Sequence, residues 1–345
     1  MKKIANALPL IFSIAVCIVL IATGCFSRVA EAFWVADTNY LEAGTRPLKE
    51  EIKITQKPSS QKPSQSVSSS PSSVQANTSS TDALGKIHEQ FLSPYSQKLS
   101  YNGIYIKNST GLTVDIKSEL SAKLSLKIKK TKEPEVLIVH THATESYMSE
   151  DKAYYTAEDK PRSDDNTKNV IKVGEILAET LRAGGISLIH DKTHHDSPSY
   201  NESYSRAKTT INEYLKKYPS IKVVVDIHRD SIAMSGNDKC KPTKTINGKK
   251  AAQVMLVVGS QTGTVTGFSE WKQNFRLALR YQQTMETMYP GLARAMTFCS
   301  RKYNMNLTTG SMLLEVGTEA NTLEEACYSA ELAGSALLSV LNTLK

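Results

Sequence analysis

Three apolar segments of this sequence run into side chains able to do hydrolytic chemistry. Val136-Leu137-Ile138-Val139 leads into His140-Thr141-His142-Ala143-Thr144-Glu145, Ile221–Ile227 into His228-Arg229-Asp230, and Met312-Leu313-Leu314 into Glu315. His142-x-x-Glu145 with a distant His228 supplies two imidazoles and a carboxylate. These donors suit Zn²⁺ in an open site whose fourth position is left to water. Zinc lowers the pKa of that water to about 7, and a carboxylate outside the ligand set must then carry its proton to the leaving amine. Glu315, last on an otherwise apolar strand, is the candidate for that task. His140 lies two residues from His142, so on a strand they share a face, and His140 becomes an alternative ligand or a hydrogen-bond donor to the transition state. Asp226 or Asp230 can fix an imidazole tautomer. Asp164 and Asp165 compete with Glu145 as the carboxylate ligand, and His195, in His194-His195-Asp196, can line the same mouth.

Each residue also has a plainer reading. A lone H-x-x-E is common, His228 can sit in a surface ion-pair cluster, and Glu315 can pair with Arg301 or Lys302. Their convergence at three strand ends favours chemistry over these plainer roles.

That convergence requires a particular scaffold. The first strand is followed by a helix with Asp165 or Asn166 near its cap, apolar positions Val170, Val173, Ile176, Leu177 and Leu181, and a stop at Gly184-Gly185. A strand over Ile186–Ile189, a helix from about Glu202 to Lys217 and the strand Ile221–Ile227 come next. Further along lie an apolar run at Val254–Val258, a helix over Glu270–Met288 and a strand at Ser311–Val316. Thr322-Leu323-Glu324-Glu325 then opens the last helix as a capping box. The alternation predicts an α/β fold: one domain over 103–345 with a central, largely parallel sheet flanked by helices. In such sheets the site forms at the carboxyl ends of the strands.

The chain has 345 residues, with 42 Lys+Arg against 34 Asp+Glu, a formal net charge of +8 that favours anionic partners. Nothing in it resembles a recognition helix or an aromatic RNA motif, so nucleic acid is not expected. A Gly-x-Ser-x-Gly elbow and a Walker A loop are absent. Cys240, Cys299 and Cys327 are too few and too scattered for a disulfide framework, and Cys240 sits in a Lys-rich stretch that reads as loop.

Met1-Lys2-Lys3 precedes an uncharged run from Ile4 to Gly24, about the length that crosses a bilayer. Residues 1–28 are therefore expected to be a single-pass membrane anchor with the remainder extracytoplasmic. A cleaved signal, ordinary or of lipoprotein type before Cys25, is the alternative. Residues 29–102, Ser/Pro-rich over 56–81, read as a flexible linker.

Val136-Leu-Ile-Val-His-Thr-His-Ala-Thr-Glu-Ser-Tyr147, Val224-Val-Asp-Ile-His-Arg-Asp230 and Leu313-Leu-Glu-Val-Gly-Thr-Glu-Ala-Asn321 resemble the signature blocks of the stage II sporulation protein P family. That family is related to zinc-dependent N-acetylmuramoyl-L-alanine amidases. The resemblance implies an amidase-like domain with His142, Glu145 and His228 as Zn²⁺ ligands and Glu315 as catalytic residue. His140, His195, Asp226, Arg229 and Asp230 then support the ligands or bind substrate. The wider amidase family places its carboxylate ligand further along, before the first helix. The resemblance also implies cleavage of the amide between N-acetylmuramic acid and L-alanine in peptidoglycan, together with peptide cross-links, during engulfment of the forespore. Stage II sporulation proteins D and M are the implied partners, in the engulfing membrane of the mother cell. Two rivals remain: a zinc carboxypeptidase on wall peptides, gripping a terminal carboxylate through Arg229 or Arg301, and a non-catalytic wall-binding scaffold.

Overall fold

The computed structural model describes residues 82–344. The expected anchor at 1–28 and the Ser/Pro-rich stretch at 56–81 lie outside them. Among the described residues no helix is long and apolar enough to cross a membrane.

In chain order the strands are β1 (Gly85–Gln90), β2 (Leu99–Tyr101), β3 (Ile104–Asn108), β4 (Val136–Val139), β5 (Tyr154–Tyr155), β6 (Leu188–His190), β7 (Val223–Asp230), β8 (Lys239–Ile246), β9 (Lys249–Ala252), β10 (Val254–Gly259), β11 (Met296–Cys299) and β12 (Ser311–Thr318). The α-helices are α1 (Ile116–Ser121), α2 (Val170–Ala183), α3 (Ser203–Lys217), α4 (Trp271–Met288) and α5 (Leu323–Asn342).

Eight strands form the main sheet in the order β2-β3-β11-β10-β12-β7-β4-β6. The stretch β12-β7-β4-β6 is parallel, but β10 runs antiparallel to β12 and β2 antiparallel to β3. The sheet is thus mixed, not the central, largely parallel sheet that the sequence predicts. Direction was illegible there because β10 is apolar on both faces, and a doubly buried strand reads the same in either orientation.

A second sheet, β5-β1-β8-β9, has no counterpart in the sequence reading. Strand β1 pairs in parallel with β8, from Ile87↔Lys239 to Gln90↔Pro242, so residues assigned to the linker begin the folded unit. Cys240 is buried on β8 and not in a loop. These strands are rich in Lys and lack apolar alternation, which hid them. Two tight turns did carry a signal: Asn102-Gly103 and Asn247-Gly248 all have positive φ, the two-residue hairpin turn that Asn-Gly favours.

Alternation along β7 and β12 positions the chemistry. Val223, Val225 and Ile227 join Met312, Leu314 and Val316 in the core that also includes residues of α2, α4 and α5. Asp226, His228 and Glu315 have the opposite parity and face the other side of the sheet. There Val224, with Leu137 and Val139, packs against Ile211 of α3. Helix α5 opens with Thr322 and Glu325 in the reciprocal capping box that their spacing predicts. Helix α2 is capped by Asn169, later than Asp165 or Asn166.

Gly174 of α2 packs against His140: a Cβ there would come 2.6 Å from its Cε1 and 2.9 Å from His190 Nε2. Ala is favoured over Gly in a helix by about 1 kcal/mol, yet overpacking costs about 1–3 kcal/mol. Gly174→Ala is expected to lower the denaturation midpoint, the opposite of what propensity alone gives.

Candidate active site

His142 lies in the loop after β4, His228 near the end of β7 and Glu315 on β12, opposite His228 in the parallel ladder. The rings of His142 and His228 are 5.3 Å apart between centroids, at 78°. His228 Nδ1 lies 3.5 Å from Glu145 Oε2, and its Nε2 lies 3.0 Å from Asp226 Oδ1. Asp226 is held in turn by Thr141, whose N–H and hydroxyl donate to it at 2.9 and 2.6 Å. Of the two carboxylates considered for supporting an imidazole, Asp226 touches His228. Asp230 bonds instead to Arg294.

These separations bear on metal binding. Two donors at 2.0–2.2 Å from one tetrahedral Zn²⁺ sit about 3.3 Å apart, and two imidazoles on it have centroids about 5 Å apart. The His228–Glu145 and His142–His228 spacings match both. His142 contacts Ser203 Oγ through Nδ1 at 3.3 Å, which leaves Nε2 for the site. Among the described residues, however, no three His, Cys, Asp or Glu side chains form a ready-made ligand group.

The electrostatics follow from burial and pairing. Burial opposes the charge on His228, but Asp226 and Glu145 outweigh it and raise its pKa well above the ordinary histidine value. Burial likewise opposes the Glu145 charge, yet His228 holds its carboxyl down at about 2. Burial lowers His142 to about 4. Glu315 is pushed up to about 8, first by burial and then by repulsion from Asp230.

His140 does not share the face of His142, because β4 ends at Val139 and the chain turns between them. It is fully buried behind the sheet, with Nδ1 3.1 Å from Ile227 O and Nε2 2.9 Å from His190 Nε2. Burial lowers both rings of this pair, to about 4 and about 3. His195 is paired with Asp191 at 3.3 Å. Asp164 contacts His194 at 3.5 Å and Asp165 bonds Thr167 and Lys168 in its own turn. Of Glu145, Asp164 and Asp165, it is Glu145 that lies beside His228.

Arg229 is 8% exposed and committed to structure. It donates to Ser146 O at 3.0 Å and Pro161 O at 2.7 Å, and its backbone N–H reaches Glu145 Oε2 at 3.1 Å. It fastens the loop that carries Glu145. Arg301, the other arginine considered for substrate, is exposed.

Several neighbours were not foreseen. Tyr200 stacks on His142 at 4.3 Å and 8°, with Arg162 over its other side at 4.9 Å. Tyr204 meets His142 edge-on at 5.5 Å and lies 6.4 Å from the His228 ring. Arg162 also pairs with Asp196 at 2.7 Å. Tyr200 and Tyr204 flank the start of α3, and a Tyr-x-x-x-Tyr spacing looks like any half-buried helix edge.

These shifts set an expected pH profile for the metal-free protein. The folded pKa of His228 is raised, so its contribution is complete below about 6.5 and is lost as pH rises. His140, His142 and His190 are buried neutral with lowered values, so they cost stability as pH falls from about 6.5 toward 4. Glu145 adds a further loss as pH drops from about 4.5 toward 2. Denaturation midpoints measured in chelator should peak near pH 6.5. A flat profile from pH 5 to 8 contradicts these assignments.

Residues 30–337 match the family described as Stage II sporulation protein P. The Stage II sporulation protein P of Bacillus subtilis (strain 168) is 31% identical over 210 residues, 57% of this chain. That match spans 49% of the relative, about half its length. Among solved structures, the CwlD amidase from Clostridioides difficile, in complex with the GerS lipoprotein, is similar over 61% of this chain and 98% of its own, with 13% identity and a TM-score of 0.37. The N-acetylmuramoyl-L-alanine amidase AmiC2 of Nostoc punctiforme is similar over 62% of this chain and 97% of its own, with 10% identity and a TM-score of 0.34. With nine-tenths of the chain inside the family match, and with the three sequence blocks meeting at one end of the sheet, the chain belongs to the Stage II sporulation protein P family.

Proposed function

We propose that this chain is a zinc-dependent peptidoglycan hydrolase of sporulation that cleaves the N-acetylmuramoyl-L-alanine amide, with endopeptidase action on peptide cross-links. The observation that carries the reading is the meeting of His142 and Glu145, from the loop after β4, with His228 of β7, which lies opposite Glu315 in the ladder.

In this reading His142, Glu145 and His228 hold Zn²⁺, which when bound supplies Lewis-acid activation of water and of the scissile carbonyl. His228 gives up its proton on loading, while Asp226 and Thr141 keep the ring oriented. Glu315 accepts the proton of the attacking water and returns it to the leaving amine. Its raised pKa suits both halves of that exchange, since the group titrates near neutral pH. Tyr200 and Tyr204 hold the His142 ring and limit water around it.

The net charge of +8 suits an anionic wall polymer. Anchoring by residues 1–28, an extracytoplasmic location in the engulfing mother-cell membrane, and work with stage II sporulation proteins D and M belong to the same proposal. The carboxypeptidase rival needs a guanidinium free to grip a substrate carboxylate. Of the two arginines considered for that grip, Arg229 is spent on carbonyls, and Arg301 is exposed.

Digestion of purified sacculi decides the matter. Free lactyl ends with new L-alanine amino termini are expected. Loss of terminal amino acids alone would favour the peptidase, and undigested sacculi that still pellet with zinc-loaded protein would favour the scaffold.

A further inference from the structure

Glu315 and Arg294 carry complementary unmet hydrogen-bonding capacity at the same end of the sheet. Glu315 is half-buried, and its Oε2 is enclosed with no partner. Arg294 is 6% exposed and places Nη1 2.8 Å from Asp230 Oδ2, while Nε and Nη2 are enclosed and unpartnered. A buried donor left unpaired costs about 1–3 kcal/mol, and more when charged. One carboxylate covers at most one edge of a guanidinium, so Asp230 leaves the Nε–Nη2 edge without a partner.

The strands bring these groups around Glu315 from both sides. On β7, His228 is the ladder partner of Glu315, and Asp230 lies two residues further on the same face. On β10, Met255 is opposite Glu315, and the Arg294 N–H donates to O of the preceding Val254 at 2.7 Å. Arg294 thus enters beside β10 and reaches Asp230 at the end of β7, with β12 and its Glu315 between those strands.

We infer that Arg294 is a positioning residue for Glu315: Asp230 holds one arm of the guanidinium, and the free Nε–Nη2 edge receives Glu315 Oε2 when the carboxylate is in its working orientation. A planar guanidinium can hold two carboxylates on separate edges, which an ammonium cannot do with the same geometry. Oε1 is then left to face the attacking water. The inference rests on the reading of Glu315 as the proton carrier.

The test uses the full chain with zinc, sacculi as substrate, and Arg294→Gln and Arg294→Lys. Glutamine keeps a donor for Asp230 and loses the second edge. Arg294→Gln is expected to lower kcat about 10- to 100-fold, the scale of a misplaced reacting group, with KM and sacculus pelleting unchanged. Arg294→Lys should recover part of the loss, and thermal unfolding checks that both variants are folded. Unchanged kcat in Arg294→Gln overturns the inference, as does a raised KM at constant kcat, which would mark a subsite for a substrate carboxylate. A zinc-soaked crystal structure gives a readout independent of turnover. Glu315 Oε2 within hydrogen-bond distance of Nε or Nη2 supports the inference, and a carboxylate turned away sinks it. Wild-type protein that leaves the amide intact would instead overturn the proton-carrier reading itself.

Discussion

Glu315→Gln is expected to leave the fold, zinc content and sacculus binding intact while lowering turnover about 10²- to 10⁴-fold, the range for loss of a positioned acid–base group. Glutamine has nearly the same shape and fills the same space on β12, but its amide cannot shuttle a proton. The site even favours the change: burial first, and then repulsion from Asp230 and Glu145, raises the pKa of Glu315, and an uncharged side chain removes that cost. A small gain in denaturation midpoint should therefore accompany the loss of activity. Zinc measured by mass spectrometry separates the roles. A variant that loses its metal would make Glu315 a ligand, and one that keeps full turnover would remove it from the chemistry.

His228→Ala should have the opposite profile, losing turnover, zinc and stability together. The imidazolium stands between two buried carboxylates, 3.0 Å from Asp226 and 3.5 Å from Glu145. Removing it takes the positive charge from between two enclosed carboxylates, which keep hydrogen bonds such as those from Thr141 and the Arg229 N–H. Breaking a buried ion pair typically costs about 3–5 kcal/mol. Pairing the substitution with Glu145→Gln relieves one of those charges. The double variant should regain part of the midpoint without regaining turnover, so the stability effect can be told from the chemical one. Normal hydrolysis in His228→Ala would end the metal reading.

Much of the scaffold was legible because burial on both faces writes itself as continuous apolar runs. Val136–Val139, Ile221–Ile227 and Val254–Val258 announced strands, and the capping box at Thr322–Glu325 announced α5. The second sheet stayed hidden, since the pairing of β1 with β8 is made by backbone and by charged side chains such as Lys241 on Glu89. Backbone pairing leaves no hydrophobic signature.

Residue type and strand-end position made His142, Glu145, His228 and Glu315 candidates, because metal-type donors next to apolar runs are chemically distinctive. The fold places His142 and Glu145 beside His228, and Glu315 opposite it in the ladder. Which of their neighbours serve them was a question of direction. His140 looked equivalent to His142, yet the end of β4 sends one ring into the core against His190 and the other toward His228. Asp226 and Asp230 have the same parity, but only one reaches His228, and the other meets an arginine 64 positions away in the chain. Arg294 and Tyr200 are ordinary residues in the sequence. Arg294 meets Asp230 and Tyr200 meets His142 across the sheet and over a loop, and such contacts exist only once the chain has closed.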